Sequence, residues 1–316
     1  MNFSQRYLVD EYVGEYEARR LGRRELLRRV VLITGSIPLS ASVLFALGCS
    51  SGGSKTAATA TAPPTQTPPP PTPPPPSGPG VTVPATDPAI QVEEVRFKGP
   101  ASDEIAYLAR PRGNGPFPAV IVNHENRGLV EHIKDVTRRY AKEGFAALAP
   151  DLLSRQGGTP ADQTQAASLL SRTNPDDLDA DLRASVDYSK AQSFIRASAI
   201  GVTGFCMGGN FTWDLALTSP DIKAAIPYYG RARLLDQIPQ TRAAVLAIYG
   251  GNDNFVTPQS VQVEESLKAA GKTYEIKIYP GASHAFFNDT GQSYNADAAK
   301  DAWQITLAWF RKYLTA

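Results

Sequence analysis

Residues 50–88 decide the architecture before any motif is read. The stretch "APPTQTPPPPTPPPPSGPG" offers no N–H at its many prolines for a helix or a sheet ladder, and too few apolar side chains to build a core. Proline-rich chain takes up extended polyproline II, at about 3.1 Å per residue, and acts as a semi-rigid spacer. The 316 residues therefore divide into three parts: a leader over 1–48, a tether running from Cys49 to residue 89, and one globular domain over 90–316. A recognition role for the PxxP pattern is the competing reading. The spacer is preferred because the tract joins an anchor to a domain.

The leader reads as an export signal and is expected to take no part in the fold. "GRRELLRRVV" carries the pair Arg23 and Arg24, then Leu26, Leu27 and Arg28, and resembles the twin-arginine signal of bacteria. An apolar stretch follows from Val30 to Leu47, broken by Gly35 and Pro38. It is close to the roughly 17–25 residues that span a bilayer, so a retained transmembrane anchor is one expectation. The other is a lipoprotein. "FALGCSSGGSK" resembles a cleavage box that would leave Cys49 as the lipid-bearing residue, although Ala46 and Leu47 stand in the reverse of the usual order. Either way the domain is expected to be exported and tethered to the outer face of the bacterial cell membrane.

Charge and cysteine content close off other classes. The chain has formal net charge +1, which gives no electrostatic footprint for nucleic acid. Seven Arg and five Asp or Glu lie before Cys49, so the remainder is nearly neutral and has no polybasic attachment to anionic lipid. Two cysteines make at most one disulfide and miss the four-ligand spacing of a structural zinc site.

The domain alternates strands with helices. "IQVEEVRF" and "EIAYLARP" alternate apolar with polar residues and predict an antiparallel pair. "FPAVIVNHE" and "FAALAPDLL" are continuous apolar runs, as in strands buried on both faces. Between them "VEHIKDVTRRYAKEG" carries a helical stripe ending at Gly144. Residues 159–193 read as helical, "ASAIGVTGF" as a strand and "MGGNFTWDLALTS" as a helix. "IKAAIPYYG", "AAVLAIYGG" and "TYEIKIYPG" are further strands, and "SVQVEESLKAAG" and "AAKDAWQITLAWFRKYL" further helices. This order implies an α/β domain with a mostly parallel central sheet and helices on both faces.

Within that order "AIGVTGFCMGGN" puts a cysteine between Gly204 and Gly208, after a strand and before a helix. A buried structural cysteine is the ordinary reading of such a residue. The mechanical reading is the nucleophile elbow of the α/β-hydrolase fold. There the flanking residues are small because strand and helix backbones nearly touch, and the apical side chain is pushed out over a helix N-terminus. That setting favours a thiolate and predicts a pKa below the usual value of about 8.5 for Cys206. The N–H of Met207 would be one oxyanion-hole donor.

A thiol nucleophile needs a base, and the base needs an orienting group. The hydrolase order is nucleophile, acid, histidine. Of the three histidines only His284, in "YPGASHAFFN", follows Cys206. Asp253, in "LAIYGGNDNFV", lies after the intervening strand. Asp253 as a turn residue and His284 as an exposed loop histidine are each plausible alone. Three residues in the required order, each following its own strand, select the catalytic reading.

From Ile90 onward the sequence resembles the dienelactone hydrolase family, the carboxymethylenebutenolidases. "GFCMGG", "YGGNDNFV", "YPGASHAFFND", "NHENRGL" and "APDLLSRQGG" carry the resemblance across the domain. It implies an α/β-hydrolase fold with Cys206 as nucleophile, His284 as base and Asp253 as its orienter. It further implies that Glu125 takes up the thiol proton when substrate binds, and Asn126 in the same loop would give the second oxyanion donor. Arg155 matches one of the family's two carboxylate-binding arginines. Asn288 stands where the second is expected, which points to a less charged or differently shaped substrate, with Arg127 a candidate substitute. The resemblance implies no metal and no cofactor. His124, Glu125 and His132 lack a usual zinc spacing, and His124 is expected to shape the pocket.

The expected activity is hydrolysis of a small-molecule ester or lactone by a monomeric catalytic domain. Two rivals remain at this stage. One is an exported binding protein that keeps the fold without catalysis. The other is a redox-sensing thiol, disfavoured because the domain holds no resolving cysteine.

Overall fold

The computed structural model describes residues 3–17, 21–34 and 83–315. Cys49 and its cleavage box, most of the apolar stretch, and the proline tract up to residue 82 lie outside the described residues. Eight strands form one sheet: β1 (Ile90–Lys98), β2 (Asp103–Pro111), β3 (Phe117–Asn123), β4 (Ala146–Pro150), β5 (Ile195–Phe205), β6 (Ile222–Tyr228), β7 (Ala244–Gly250) and β8 (Tyr274–Tyr279). Their order is β1-β2-β4-β3-β5-β6-β7-β8. The first hairpin is antiparallel, β2 pairs antiparallel with β4, and every remaining pair is parallel. Strand burial follows the sequence pattern. β4 and β7 are buried along their whole length, whereas β1 at the sheet edge is mostly half-exposed or exposed.

The helices are α1 (Phe3–Glu17), α2 (Arg23–Thr34), α3 (Glu131–Lys142), α4 (Gln163–Arg172), α5 (Pro175–Lys190), α6 (Met207–Thr218), α7 (Ser260–Ala269) and α8 (Ala296–Leu314). The span 159–193, read as helical with a start at the Asn or Pro of "NPDDLDADLRASVDYSKAQ", is two helices, and the second begins there. Asn174 caps the second by accepting from Asp176 N–H, with Pro175 behind it, the usual arrangement of a fresh helix start. Side chains alternate across a strand, so two glycines of β5 show the layering. A methyl group at Gly201 would strike Phe310 and Leu314 of α8, and one at Gly204 would strike Gly208 and Thr212 of α6. These helices therefore cover opposite faces. Tyr140 of α3 packs on Trp303 and Phe310, which puts α3 beside α8.

The leader departs from expectation. Residues 3–17 and 21–34 fold as helices on the domain, and their apolar side chains join its main core. In α1 the stripes are spaced by four: Leu8 with Tyr12, and Val9 with Val13, all buried. Arg6 and Asp10 form an i,i+4 pair at 3.0 Å. In α2 the buried residues are Leu26, Val30 and Ile33. Burying such a side chain contributes about 1.5–3 kcal/mol each, which is why these helices dock rather than fray. Polar ties add to it: Leu32 C=O accepts from Ser168 Oγ at 3.3 Å and from Arg172 Nη2 at 3.0 Å, both on α4. No helix among the described residues is long and apolar enough to cross a membrane.

Candidate active site

The bend after β5 has the close backbone approach that its glycines predict. Cys206 sits at φ 57°, ψ −120°, a conformation that costs a non-glycine residue energy and persists only where the surroundings enforce it. They do so through main chain. A Cβ at Gly208 would land on the Asn123 and His124 carbonyls, and one at Gly209 on Tyr228 and Gly230. Cys206 N–H donates to Tyr228 C=O at 3.1 Å. The sulfur is thereby held at the carboxyl ends of the parallel strands, where open α/β sheets place their ligands.

Asp253 does both jobs that the sequence left open. Its Oδ1 accepts from the N–H groups of Phe255 and Val256 at 3.2 and 3.0 Å, which is the turn role. Its Oδ2 accepts from His284 Nδ1 at 2.6 Å. With Nδ1 occupied, His284 turns its buried Nε2, which has no hydrogen-bond partner, to the thiol side. The sulfur, a His284 ring nitrogen and a Glu11 carboxylate oxygen all lie within 4.8 Å of one another. Tyr229 packs its edge on the imidazole at 5.1 Å.

The loop after β3 brings Glu125, Asn126 and Arg127 to the same cavity. Glu125 is buried. Its Oε2 accepts from Asn288 Nδ2 at 2.7 Å, and its Oε1 has no partner. Arg127 is exposed, with Gln163 at 3.4 Å. His124 is fully buried and does not line the cavity. Its Nε2 accepts from Leu152 N–H at 3.0 Å, so Nδ1 carries the proton and donates to Glu125 C=O at 2.6 Å. Burial pushes its pKa down. It fastens the loop after β3 to the end of β4 rather than shaping the pocket wall.

Arg155 is not brought to the site. Its Nε bonds Asp181 Oδ2 at 2.7 Å, and Asp177 lies at 3.4 Å. These α5 carboxylates hold the guanidinium away from the cavity, so the carboxylate-binding role expected for it has no geometric support. Among the described residues the one group of three possible donors is Glu11, Cys206 and His284. That is a carboxylate–thiol–imidazole set of the kind zinc accepts, and one member belongs to α1.

Two site residues escaped the sequence reading altogether. Tyr7 and Glu11, one helical turn apart on α1, meet the thiol. Tyr7 hydroxyl lies 3.6 Å from Cys206 Sγ, and the thiol donates to Glu11 Oε2 at 3.5 Å. Asn126 Nδ2 donates to the same Glu11 oxygen at 2.9 Å. Tyr7 also packs on Phe255, with ring centroids 5.3 Å apart. The signal was the stripe Tyr7, Leu8, Tyr12 at helical spacing ahead of the arginine pair.

This cover changes the electrostatics. Cys206 is 2% exposed. Burial first, then the Glu11 carboxylate, with a smaller push from Glu125, raise its pKa to about 11 against the pull of His284. The low thiol pKa expected from the helix N-terminus is therefore overturned, because desolvation of an anion outweighs the helix dipole. Burial alone would push the His284 imidazole down, but the Asp253 carboxylate overrides it and the net shift is well upward. Asp253 in turn is lowered, His284 outweighing the cost of its own burial. Burial pushes the Glu11 carboxyl up to about 7. A cavity of about 820 Å³ remains between α1, α2 and the loops that carry Glu125, Asp253 and His284.

The model of the dienelactone hydrolase family matches residues 105–314. A protein of Methylorubrum extorquens, provisionally named a carboxymethylenebutenolidase, is 40% identical over 222 residues, covering 66% of this chain and 76% of the relative. A protein of Escherichia coli K12 with the same provisional name is 38% identical over 223 residues, covering 66% and 82%. The crystal structure of a provisionally named dienelactone hydrolase from Klebsiella pneumoniae superposes with TM-score 0.66 at 36% identity, over 71% of this chain and 100% of that one.

Proposed function

The chain belongs to the dienelactone hydrolase family of lactone and ester hydrolases, and from that premise we propose that Cys206, His284 and Asp253 are its catalytic triad. The observation that carries this reading is the 2.6 Å bond between Asp253 Oδ2 and His284 Nδ1. It leaves Nε2 as the free nitrogen beside a sulfur held on a strained turn.

The raised thiol pKa means that Cys206 rests protonated. Glu125, with one oxygen held by Asn288 and the other free, takes the thiol proton as substrate binds. The thiolate adds to the ester or lactone carbonyl. The N–H groups of Met207 and Asn126 then receive the developing oxyanion, where fixed donors are worth most. The imidazolium of His284, which Asp253 favours, gives its proton to the departing alkoxide as the C–O bond breaks. That leaves an acyl-thioester and a neutral imidazole. Neutral His284 takes a proton from water, the hydroxide displaces the sulfur, and Glu125 returns its proton to the thiolate. In a lactone the alcohol stays attached, so one hydroxy acid is released.

Substrates with little formal charge fit this site best. Asn288 is spent on Glu125 and Arg155 on α5, so Arg127 is the one domain arginine of these candidates that reaches the cavity. The leader's arginine pair and the box at Cys49 support an exported, membrane-tethered enzyme as part of the same proposal.

A panel of neutral and carboxylate-bearing lactones and aryl esters tests the chemistry, with Cys206→Ala and Cys206→Ser beside the parent. Turnover in the parent with trapping of an acyl-thioester on Cys206 supports the reading. Turnover that survives Cys206→Ala would sink it.

A further inference from the structure

Nothing in the hydrolytic cycle calls for Tyr7 or Glu11, yet both rest on the reacting sulfur. We propose that residues 3–34 are a built-in inhibitor. Helix α1 closes the thiol, with the Glu11 carboxylate standing where a carboxylic acid product would lie, and the site opens when the segment is withdrawn or cut away. This deepens the thiol-hydrolase reading and rests on it.

The first argument is steric. Attack needs a carbonyl carbon about 3–3.5 Å from the nucleophile. The Glu11 and Tyr7 oxygens already occupy positions 3.5 and 3.6 Å from the sulfur. The second is chemical likeness. Ester hydrolysis leaves a carboxylic acid beside the thiol, and Glu11 puts a carboxyl there, held by the side chain of Asn126 at 2.9 Å. The third is attachment. Tyr7, Leu8, Val9, Tyr12, Leu26, Val30 and Ile33 are buried in the domain's core, while Arg23 and Arg24 stay exposed. The apolar face of the leader is thus engaged by the domain while its arginine pair remains legible to an exporter. No covalent bond ties the described helices to the domain, and they are continuous with it only through residues 35–82. On the lipoprotein reading of the sequence, removal of the chain before Cys49 would take both Tyr7 and Glu11 away.

The competing arrangement is that α1 and α2 are a permanent wall of the substrate pocket, since a cavity of about 820 Å³ lies beneath them. The two make opposite predictions. The full chain is produced with a specific protease site placed in the proline tract, folded, cut, and freed of the leader by gel filtration. A chelator is present throughout, so that metal capture by Glu11, Cys206 and His284 is not read as closure. Two quantities are followed before and after cutting: alkylation of Cys206 by iodoacetamide, located by peptide mass mapping to separate it from Cys49, and hydrolysis of an aryl ester.

Both rates are expected to rise about tenfold or more, as an intramolecular contact loses its high effective concentration. A synthetic peptide of residues 1–34 should reverse the rise. Should the cut leader stay bound, Tyr7→Ala combined with Glu11→Ala in the uncut chain decides by the same two readouts. Unchanged or slower alkylation on release, or loss of ester cleavage, overturns the inhibitor and favours the permanent wall. Faster alkylation with no ester cleaved in any form keeps the inhibitor and removes the hydrolase reading. Ester cleavage with both rates indifferent to cutting does the reverse.

Discussion

The amide of Asn288 donates to Glu125 Oε2 at 2.7 Å, joining the loop after β8 to the loop after β3. A neutral side chain thus steadies the carboxylate that is proposed to receive the thiol proton. Asn288→Ala removes a hydrogen bond to a buried charged group, worth about 1.5–3 kcal/mol, and kcat should fall by roughly 10- to 100-fold. Asn288→Arg should lower KM for a carboxylate-bearing lactone relative to a neutral ester. Steady-state kinetics on the matched pair of substrates checks both, and an unchanged KM ratio would contradict the second.

Asp253→Asn should leave the turn largely intact, because one side-chain oxygen can still accept from Phe255 and Val256. The imidazole would lose the carboxylate that raises its pKa. Removing a negative charge disfavours the imidazolium, so the His284 midpoint in an NMR titration should move down. By analogy with other triads, kcat should fall about 10⁴-fold. The stability linked to this pair is fully present between the unfolded aspartate and histidine values of about 3.9 and 6.5, and is lost as pH rises through the raised His284 value or falls through the lowered Asp253 value. In Asp253→Asn that dependence should flatten in denaturant titrations followed across pH.

With the leader docked, Cys206 should ionise with a midpoint near 11. The Glu11 carboxylate repels a thiolate, so Glu11→Gln should bring the midpoint down. The rate of iodoacetamide labelling at Cys206 against pH reads it directly. A midpoint unmoved by Glu11→Gln would show that the carboxylate is not felt at the sulfur.

Arg155→Ala separates a structural arginine from a substrate-binding one. Its partner Asp181 is buried, and stripping a buried carboxylate of its cation costs about 3–5 kcal/mol where both are fully buried. Arg155 is 18% exposed, so a smaller loss is expected. The melting temperature should fall while KM for a carboxylate-bearing substrate stays the same. A selective rise in KM would restore the binding role that the family resemblance suggests.

The geometry of the candidate site was legible because it is written in short local words. G-x-C-x-G after a strand, Asp253 after glycines and His284 after the last strand each sit on one turn, and the sheet order brings those turns together. What was not legible depends on partners distant in sequence. Arg155 reads as a substrate ligand until α5 supplies Asp181 from 26 residues away. Tyr7, Leu8 and Tyr12 make the same apolar stripe whether they meet a bilayer or a protein surface. A leader that docks on its own domain therefore looks, in sequence, like one that leaves it. The thiol pKa departs from expectation partly for the same reason, since Glu11 of the docked leader adds its charge to the burial that raises it.

Gly208→Ala should be among the most damaging single substitutions in the domain, because the added methyl would meet the Asn123 and His124 carbonyls, which cannot rotate aside. A cost of about 3 kcal/mol or more is expected, seen as a lowered melting temperature or as insoluble protein.

The backbone contacts around that turn, from β3 on one side and Gly230 on the other, also bear on how such an enzyme could be redesigned. The turn that carries the sulfur is set by main-chain contacts. The faces a substrate would touch, at Arg127, Asn254, Phe255 and Thr290, are side chains borne on loops. A combinatorial library confined to those four positions can therefore reshape what enters without displacing the sulfur.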